Sequence, residues 1–173
     1  VAARRGGGVS GSVRVGQGFD VHRLAPGRPL WLGGIEIPHE RGLLGHSDGD
    51  VLLHAVADAL LGALGEGDLG RHFPSSDPAL AGRASSGLLR QVAQRMRGCG
   101  FRVANLDASI IAEEPRLAPW QGEMRDSLAA LLSAPPHAVN LKLKSADGLG
   151  AIGRGEGIAA QAVVLLARAG EAP

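Results

Sequence analysis

The apolar positions of the chain change their period from one stretch to the next, and the period predicts the elements. Val13 to Val21 reads as a strand. Leu30 to Ile37 is a second apolar stretch, hairpin-like because Gly33-Gly34 interrupts it. Leu52, Val56, Ala59, Leu60 and Ala63 recur at helical spacing and predict a helix from about Asp48 to Leu64. Ser47 is placed to cap it, Asp50 lies in its first turn and Gly65 stops it. Glu66 to Gly82 is dense in Gly, Pro, Ser and Asp and reads as a loop. Ser85 or Ser86 then caps a second helix to about Arg97, ended by Gly98 and Gly100. Phe101 to Ala112 predicts a strand, broken by Pro115 and Pro119, and a third helix runs from about Pro119 to Leu132 until Pro135-Pro136. Val139 to Ser145 alternates as a strand. Gly157 to Ala167 is apolar without a clear period: a strand, with a helix as the alternative. Strands and helices alternate without repeats, which predicts an α+β fold. The expected form is a single-domain sandwich of one β-sheet with helices packed on one face, over residues 13–168. Residues 1–12 read as a flexible N-terminal tail and 169–173 as a C-terminal tail.

Composition narrows the function classes. The chain of 173 residues is long enough for one domain with a real core. A formal net charge of +1 argues against a nucleic-acid surface, which needs a basic bias. With no Tyr, three Phe and two Trp, base-stacking platforms are hard to build. No apolar run approaches the roughly 18 residues of a membrane span, so no membrane partner is expected. Val1 to Ser12 carries two Arg and no apolar segment, so it does not read as a secretory signal. Cys99 is the single cysteine, which is compatible with a reducing, cytoplasmic setting and excludes a cysteine-rich zinc site. A metal here would be held by His and carboxylates.

Two segments carry such groups. Asp20 and His22 are two apart on a strand and share a face, which would leave Phe19 and Val21 facing the core. His46-Ser-Asp-Gly-Asp50 is followed by His54, and Asp50, His54 and Asp58 are spaced to share one helix face. Asp20, His22 and His54 offer two imidazoles and a carboxylate, a donor set that suits zinc and leaves a fourth position open. Asp58, one turn beyond His54, is placed to orient that ligand's other ring nitrogen. His46 and Ser47 lie at the predicted helix start, where free N–H groups and the dipole favour an anion. The bland alternatives are a solvated strand edge for the Asp20/His22 pair and a surface or packed residue for His54. His39, His72 and His137 sit in loops near proline and read as unremarkable.

Taken together, G-Q-G-F-D-V-H-R-L, G-H-S-D-G-D-V-L-L-H-A, D-A-L-L-G-A, G-D-L-G-x-x-F-P and G-R-G-E-G-I resemble the 2-C-methyl-D-erythritol 2,4-cyclodiphosphate synthase family, in that family's order and from about Val13 to Ala167. The resemblance implies conversion of 4-diphosphocytidyl-2-C-methyl-D-erythritol 2-phosphate to the cyclic diphosphate and CMP. It implies Zn²⁺ on Asp20, His22 and His54, with Mg²⁺ or Mn²⁺ accompanying the substrate diphosphate. It further implies phosphate contacts by His46, Ser47 and Ser145, and support of a zinc histidine by Asp58. Asp68, Gly70, Phe73 and Asp77 would bind substrate. Ala112, Pro115, Arg116 and Leu117 would form a cytidine pocket, with Lys144 adding positive potential. Asp147 would take a second divalent cation. The family assembles as a homotrimer with active sites between subunits. Arg154 and Glu156 belong to the segment near the threefold axis, where some relatives bind an isoprenoid diphosphate.

Three positions depart from the family pattern: Asp147 stands where Glu is usual, Ser75 where F-P-D is common, and Arg116 for a frequent Lys. Gly148-Leu-Gly150-Ala-Ile-Gly153 matches a dinucleotide fingerprint, but the chain leaves no room for the helix, strand and acid that must follow, so it reads as a glycine turn. Lys142 and Lys144 alternate on one strand face, either as a solvated edge or beside a phosphate site. Two rival functions remain: a zinc phosphate-ester hydrolase using the same Asp20, His22 and His54, and a non-catalytic trimeric module binding isoprenoid diphosphates through Arg154.

Overall fold

The computed structural model describes residues 13–74, 76 and 82–170. The 1–12 tail, Ser75, Asp77 and the end of the C-terminal tail lie outside the described residues.

A long first strand, β1 (Val13–Pro26), runs antiparallel to the last, β7 (Gly157–Arg168), from Val13↔Ala167 to Arg23↔Gly157. The period-free C-terminal segment is therefore a strand, and its lack of alternation arises because its outward face also carries apolar residues, Val163 among them. β1 continues past the predicted Val21 because its end pairs with β4 (Arg41–Leu43), a short strand with no sequence signal of its own. On the far side of β7 lies β5 (Phe101–Ile111), antiparallel to it, and then β6 (Val139–Lys144), parallel to β5. The five-stranded order is β4-β1-β7-β5-β6. β2 (Leu30–Leu32) and β3 (Ile35–Ile37) form a separate two-stranded hairpin around Gly33-Gly34, so the expected single sheet becomes two.

Helices cover one face of the larger sheet. α1 (Val51–Leu64) is buried on nearly every side, between the sheet and α3 (Ser85–Gly98). The helical stripe read from the sequence is thus only part of its contact surface. α2 (Leu69–His72) is a single turn within the predicted loop, and α5 (Gly150–Gly153) fills the glycine turn before β7. α4 (Gln121–Leu132) follows a 3-10 turn at Ala118–Trp120 and bridges β5 to β6, the crossover that a parallel pair requires. Among the described residues no helix is long and apolar enough to cross a membrane.

The face assignment of β1 is the reverse of the one expected. Phe19 and Val21 point outward, 55% and 52% exposed, with Val13 and Val15 beside them. The helix-facing positions are Gly16, Gly18, Asp20, His22 and Leu24. The cause is close approach. A Cβ on Gly16 would stand 1.9 Å from the Ala59 carbonyl oxygen, and one on Gly18 would stand 2.0 Å from that of Ala55. Only glycine lets α1 lie this near the strand. Asp20 and His22 continue the glycine parity, so they face the helix that carries His54.

Candidate metal centre and nucleotide pocket

Three residues meet where β1 and α1 touch. One ligand atom from each of Asp20, His22 and His54 lies within 4.8 Å of the others. Asp20 Oδ2 sits 2.9 Å from His22 Nε2 and 2.9 Å from His54 Nδ1. The two imidazole rings are tilted at 56° with centroids 5.3 Å apart. Their side chains are 20% and 12% exposed, so the cluster is sheltered yet reachable from solvent. Two nitrogens and one carboxylate oxygen converging on a point form a donor set able to hold a divalent metal.

Electrostatics follow from this crowding. Burial raises the Asp20 carboxyl, but hydrogen bonds and charge from His22 and His54 more than offset it, leaving it well below the usual range. His22 is raised, first by its bond to Asp20, then by the Leu44 carbonyl, against burial and the Arg28 charge. A carbonyl can only accept, so His22 Nδ1 donates to Leu44 O, and Nε2 is the nitrogen that faces Asp20 and would face a metal. Arg28 braces the following loop, donating to Gly45 O at 3.3 Å and Ser47 O at 2.9 Å.

Several expected roles find different geometry. Ser47 does not cap α1. Asp50 does, accepting from Leu53 N at 3.1 Å, and the same carboxylate accepts from Gly33 N and Gly34 N. Burial raises the Asp50 carboxyl, while these three N–H groups pull the other way. The α1 N-terminus thus already holds a carboxylate, which removes the dipole argument for phosphate at His46 and Ser47. His46 is exposed, and the Ser47 hydroxyl faces His54 Nε2 at 3.2 Å and Ser85 Oγ at 3.1 Å. Asp58 does not take the ring nitrogen of His54 either: it accepts from Leu69 N at 2.6 Å and so holds α2 against α1. Burial raises its carboxyl, opposed by that N–H and assisted by the charges of Asp68 and Asp20. Asp68 caps α2 through Arg71 N at 2.9 Å, Gly70 is exposed on that turn, and Phe73 ends it.

The residues expected around cytidine do come together. Ala112, Pro115, Arg116, Leu117, Lys144 and Ser145, with Glu113 beside them, line a cavity of about 440 Å³ at the ends of β5 and β6. Asp147 lies just beyond in a left-handed turn, φ 53°, its N–H 3.3 Å from Ser145 Oγ. Across the sheet, Asp20 pairs with Ala160, Ala160 with Ile110 and Ile110 with Leu143. At ~4.8 Å per strand, the cavity wall at Ile110 lies roughly 10 Å, and the wall at Leu143 roughly 14 Å, from the Asp20 position of the same chain. Arg154 donates to Glu156 and shares a small depression with Arg23 and Arg41.

Sequence reasoning missed Ser85 as a neighbour of His54, Asp48 as the partner of Ser85, and Glu113 as a neighbour of the Asp147 turn. Ser85 carried only a helix-cap signal, and 31 residues separate it from His54.

A model of the YgbB family matches residues 13–167. A 2-C-methyl-D-erythritol 2,4-cyclodiphosphate synthase of Alkalilimnicola ehrlichii is 61% identical over 159 residues, covering 91% of this chain and 97% of the relative. One of Geobacillus kaustophilus is 59% identical, covering 88% and 97%. Among solved structures, a 2C-methyl-D-erythritol-2,4-cyclodiphosphate synthase in a CDP-bound form superposes with a TM-score of 0.82 at 39% identity, covering 88% of this chain and 99% of the other. A Plasmodium falciparum IspF–CDP complex gives 0.80 at 29% identity, covering 91% and 97%. With nearly its full described length matched in both sequence and fold, this chain belongs to the YgbB family.

Proposed function

We propose that the chain converts 4-diphosphocytidyl-2-C-methyl-D-erythritol 2-phosphate to 2-C-methyl-D-erythritol 2,4-cyclodiphosphate and CMP, with zinc held by Asp20, His22 and His54. The observation that carries the reading is the convergence of those three donor atoms within 4.8 Å, in a chain whose relatives bear that enzyme's name. The donor set fits zinc and leaves its fourth position to substrate.

The nucleophile is the substrate's own 2-phosphate. With a second pKa near ~6 it is ionised at neutral pH, so no side chain need act as general base. Its oxygen attacks the phosphorus nearer the methylerythritol, a new P–O bond closes the ring, and the bond to the cytidine-bearing phosphate breaks with its electron pair leaving on CMP. The obstacle is repulsion: unit charges at ~4 Å repel by about 4 kcal/mol at an effective dielectric near 20. Hydrogen bonds of ~1–3 kcal/mol each do not offset several such pairs. When bound, the dication supplies positive charge and Lewis acidity at the diphosphate. Arg116 and Lys144 contribute charge from the cavity wall, while Ala112, Pro115 and Leu117 pack the base. His46, Ser47 and Ser145 contact phosphate, and Asp58 with Asp68, Gly70 and Phe73 shapes the methylerythritol side. Asp147, one methylene short of Glu, would hold Mg²⁺ or Mn²⁺, which would supply further positive charge to the diphosphate.

The protein acts as a homotrimer, with the cavity of one subunit facing the metal cluster of the next. Two features support this: the separation of cavity and cluster within one chain, and the uncovered sheet face bearing Val13, Val15, Phe19, Val21 and Val163. Arg154, near Arg23 and Arg41, offers cationic charge for an isoprenoid diphosphate on the axis.

Incubation with the cytidyl substrate and Mg²⁺, following CMP release and product mass, tests the reading. The expected products are CMP and a cyclic diphosphate, lost in a folded His54→Ala variant. A linear phosphate product would make the protein a hydrolase, and full activity in a chelated, zinc-free sample would remove the metal from the mechanism.

A further inference from the structure

Behind His54, on the side away from Asp20, its Nε2 meets a compact hydroxyl–carboxylate cluster. Ser85 Oγ lies 2.9 Å from His54 Nε2 and 3.1 Å from Ser47 Oγ, and it also bonds Asp48 Oδ1. Ser85 is 1% exposed, so water does not compete for these bonds. Asp48 is itself fixed: it accepts from Ser85 N at 3.0 Å and Asp50 N at 3.3 Å, and its own N–H donates to Arg83 O.

A proton inventory decides the direction of each bond. Ser85 Oγ has one proton and two lone pairs. An ionised carboxylate can only accept, so that proton goes to Asp48. Ser85 then turns lone pairs toward His54 and Ser47. His54 Nε2 must be the donor, so once a dication sits between Nδ1 and Asp20 Oδ2, which lie 2.9 Å apart, Nδ1 is the nitrogen that would present its lone pair. We infer that Ser85, oriented by Asp48, is a positioning residue that holds His54 with its proton on Nε2 and its metal-binding lone pair on Nδ1. The inference rests on the zinc reading given above. The support comes from α3, 31 residues along the chain, and takes the place that Asp58 was expected to fill. It matches the Leu44 carbonyl on His22, so each ligating imidazole has an acceptor on the nitrogen opposite its metal donor.

The test uses the zinc-loaded full chain. Zinc affinity is measured by chelator competition for wild type, Ser85→Ala, Ser85→Thr and Asp48→Asn. The His54 ring protons are followed by ¹⁵N-edited NMR. Ser85→Ala removes the nearer acceptor and leaves only the more distant Ser47 hydroxyl, 3.2 Å from Nε2. Asp48→Asn preserves size but leaves one acceptor oxygen where Ser85 N and Ser85 Oγ use two, so its NH2 group meets one of these donors and the anchor of Ser85 is lost. Both should weaken zinc by ~10–100-fold, the usual effect of losing such a partner. Ser85→Thr, which keeps the hydroxyl, should stay close to wild type. The Nε2 proton should exchange slowly in wild type and quickly in Ser85→Ala. Folded Ser85→Ala and Asp48→Asn proteins with wild-type zinc affinity would overturn the inference, as would a wild-type His54 bound to metal through Nε2. That last observation needs no variant, so a Ser85→Ala chain that fails to fold leaves the test intact. A wild-type chain that binds no zinc would instead refute the zinc reading itself.

Discussion

Adding one methyl group at Gly18 should both weaken the fold and loosen the metal site. A Cβ there would stand 2.0 Å from Ala55 O, 2.8 Å from Ala59 N and 3.0 Å from Ala55 C. All three are helix backbone, which cannot rotate aside, so relief requires α1 to move off β1 by about 1 Å or more if carbon contacts are to recover their ordinary ~3.5–4.0 Å. Overpacking of this kind typically costs about 1–3 kcal/mol. The same displacement carries His54 away from Asp20, two residues beyond Gly18. Metal–ligand distances tolerate only about ±0.2 Å, so zinc affinity should fall as well. Gly62 is the control: it lies on the same helix, is exposed, and its added Cβ meets nothing nearer than 3.7 Å. Gly62→Ala should be neutral or stabilising by up to ~1 kcal/mol. Urea unfolding of the two variants with chelator competition reads both effects. If Gly18→Ala unfolds within about 0.5 kcal/mol of wild type and retains zinc equally, the close-approach account of the site is wrong.

Asp50→Ala should be more damaging than loss of an ordinary helix cap. It removes a cap worth ~1 kcal/mol and strands the Gly33 and Gly34 N–H groups at ~1–3 kcal/mol each. Denaturant melts should show a loss of about 3–7 kcal/mol, and a loss below about 1 would refute the shared-cap reading. Val15→Glu, at a position 65% exposed on the bare sheet face, should leave the subunit folded but dissociate the proposed trimer in sedimentation velocity; an intact trimer would count against that interface. Asp107 titrates below its ordinary 3.8 because of its bonds to Lys142 first and Asn140 second. Its contribution to stability is therefore present above pH 3.8 and is lost as pH falls through the lower folded value. In Lys142→Met the NMR midpoint of Asp107 should rise toward 3.8, and an unmoved midpoint would exclude that pairing as the cause.

What the sequence determined alone was the longer elements and the three side chains able to hold a metal. Alternation marked β6, helical spacing marked α1, cap and stop residues marked α3, and paired glycines marked the turn between β2 and β3, because each signal is carried by neighbours in the chain. Asp20 and His22 could be placed on one strand face for the same reason. Which face that was could not be read locally. Gly16 and Gly18 show as core positions only once α1 is seen to need their missing Cβ atoms. The β1–β4 pairing, the capture of Gly33 and Gly34 by Asp50, and the placement of α2 by Asp58 are contacts across 11 or more residues. The partner of His54 shows the limit most clearly. Helical spacing pointed to Asp58 one turn away, but the hydroxyl that reaches the ring comes from α3, because packing of α3 on α1, rather than position along the chain, decides which polar group lies behind a histidine.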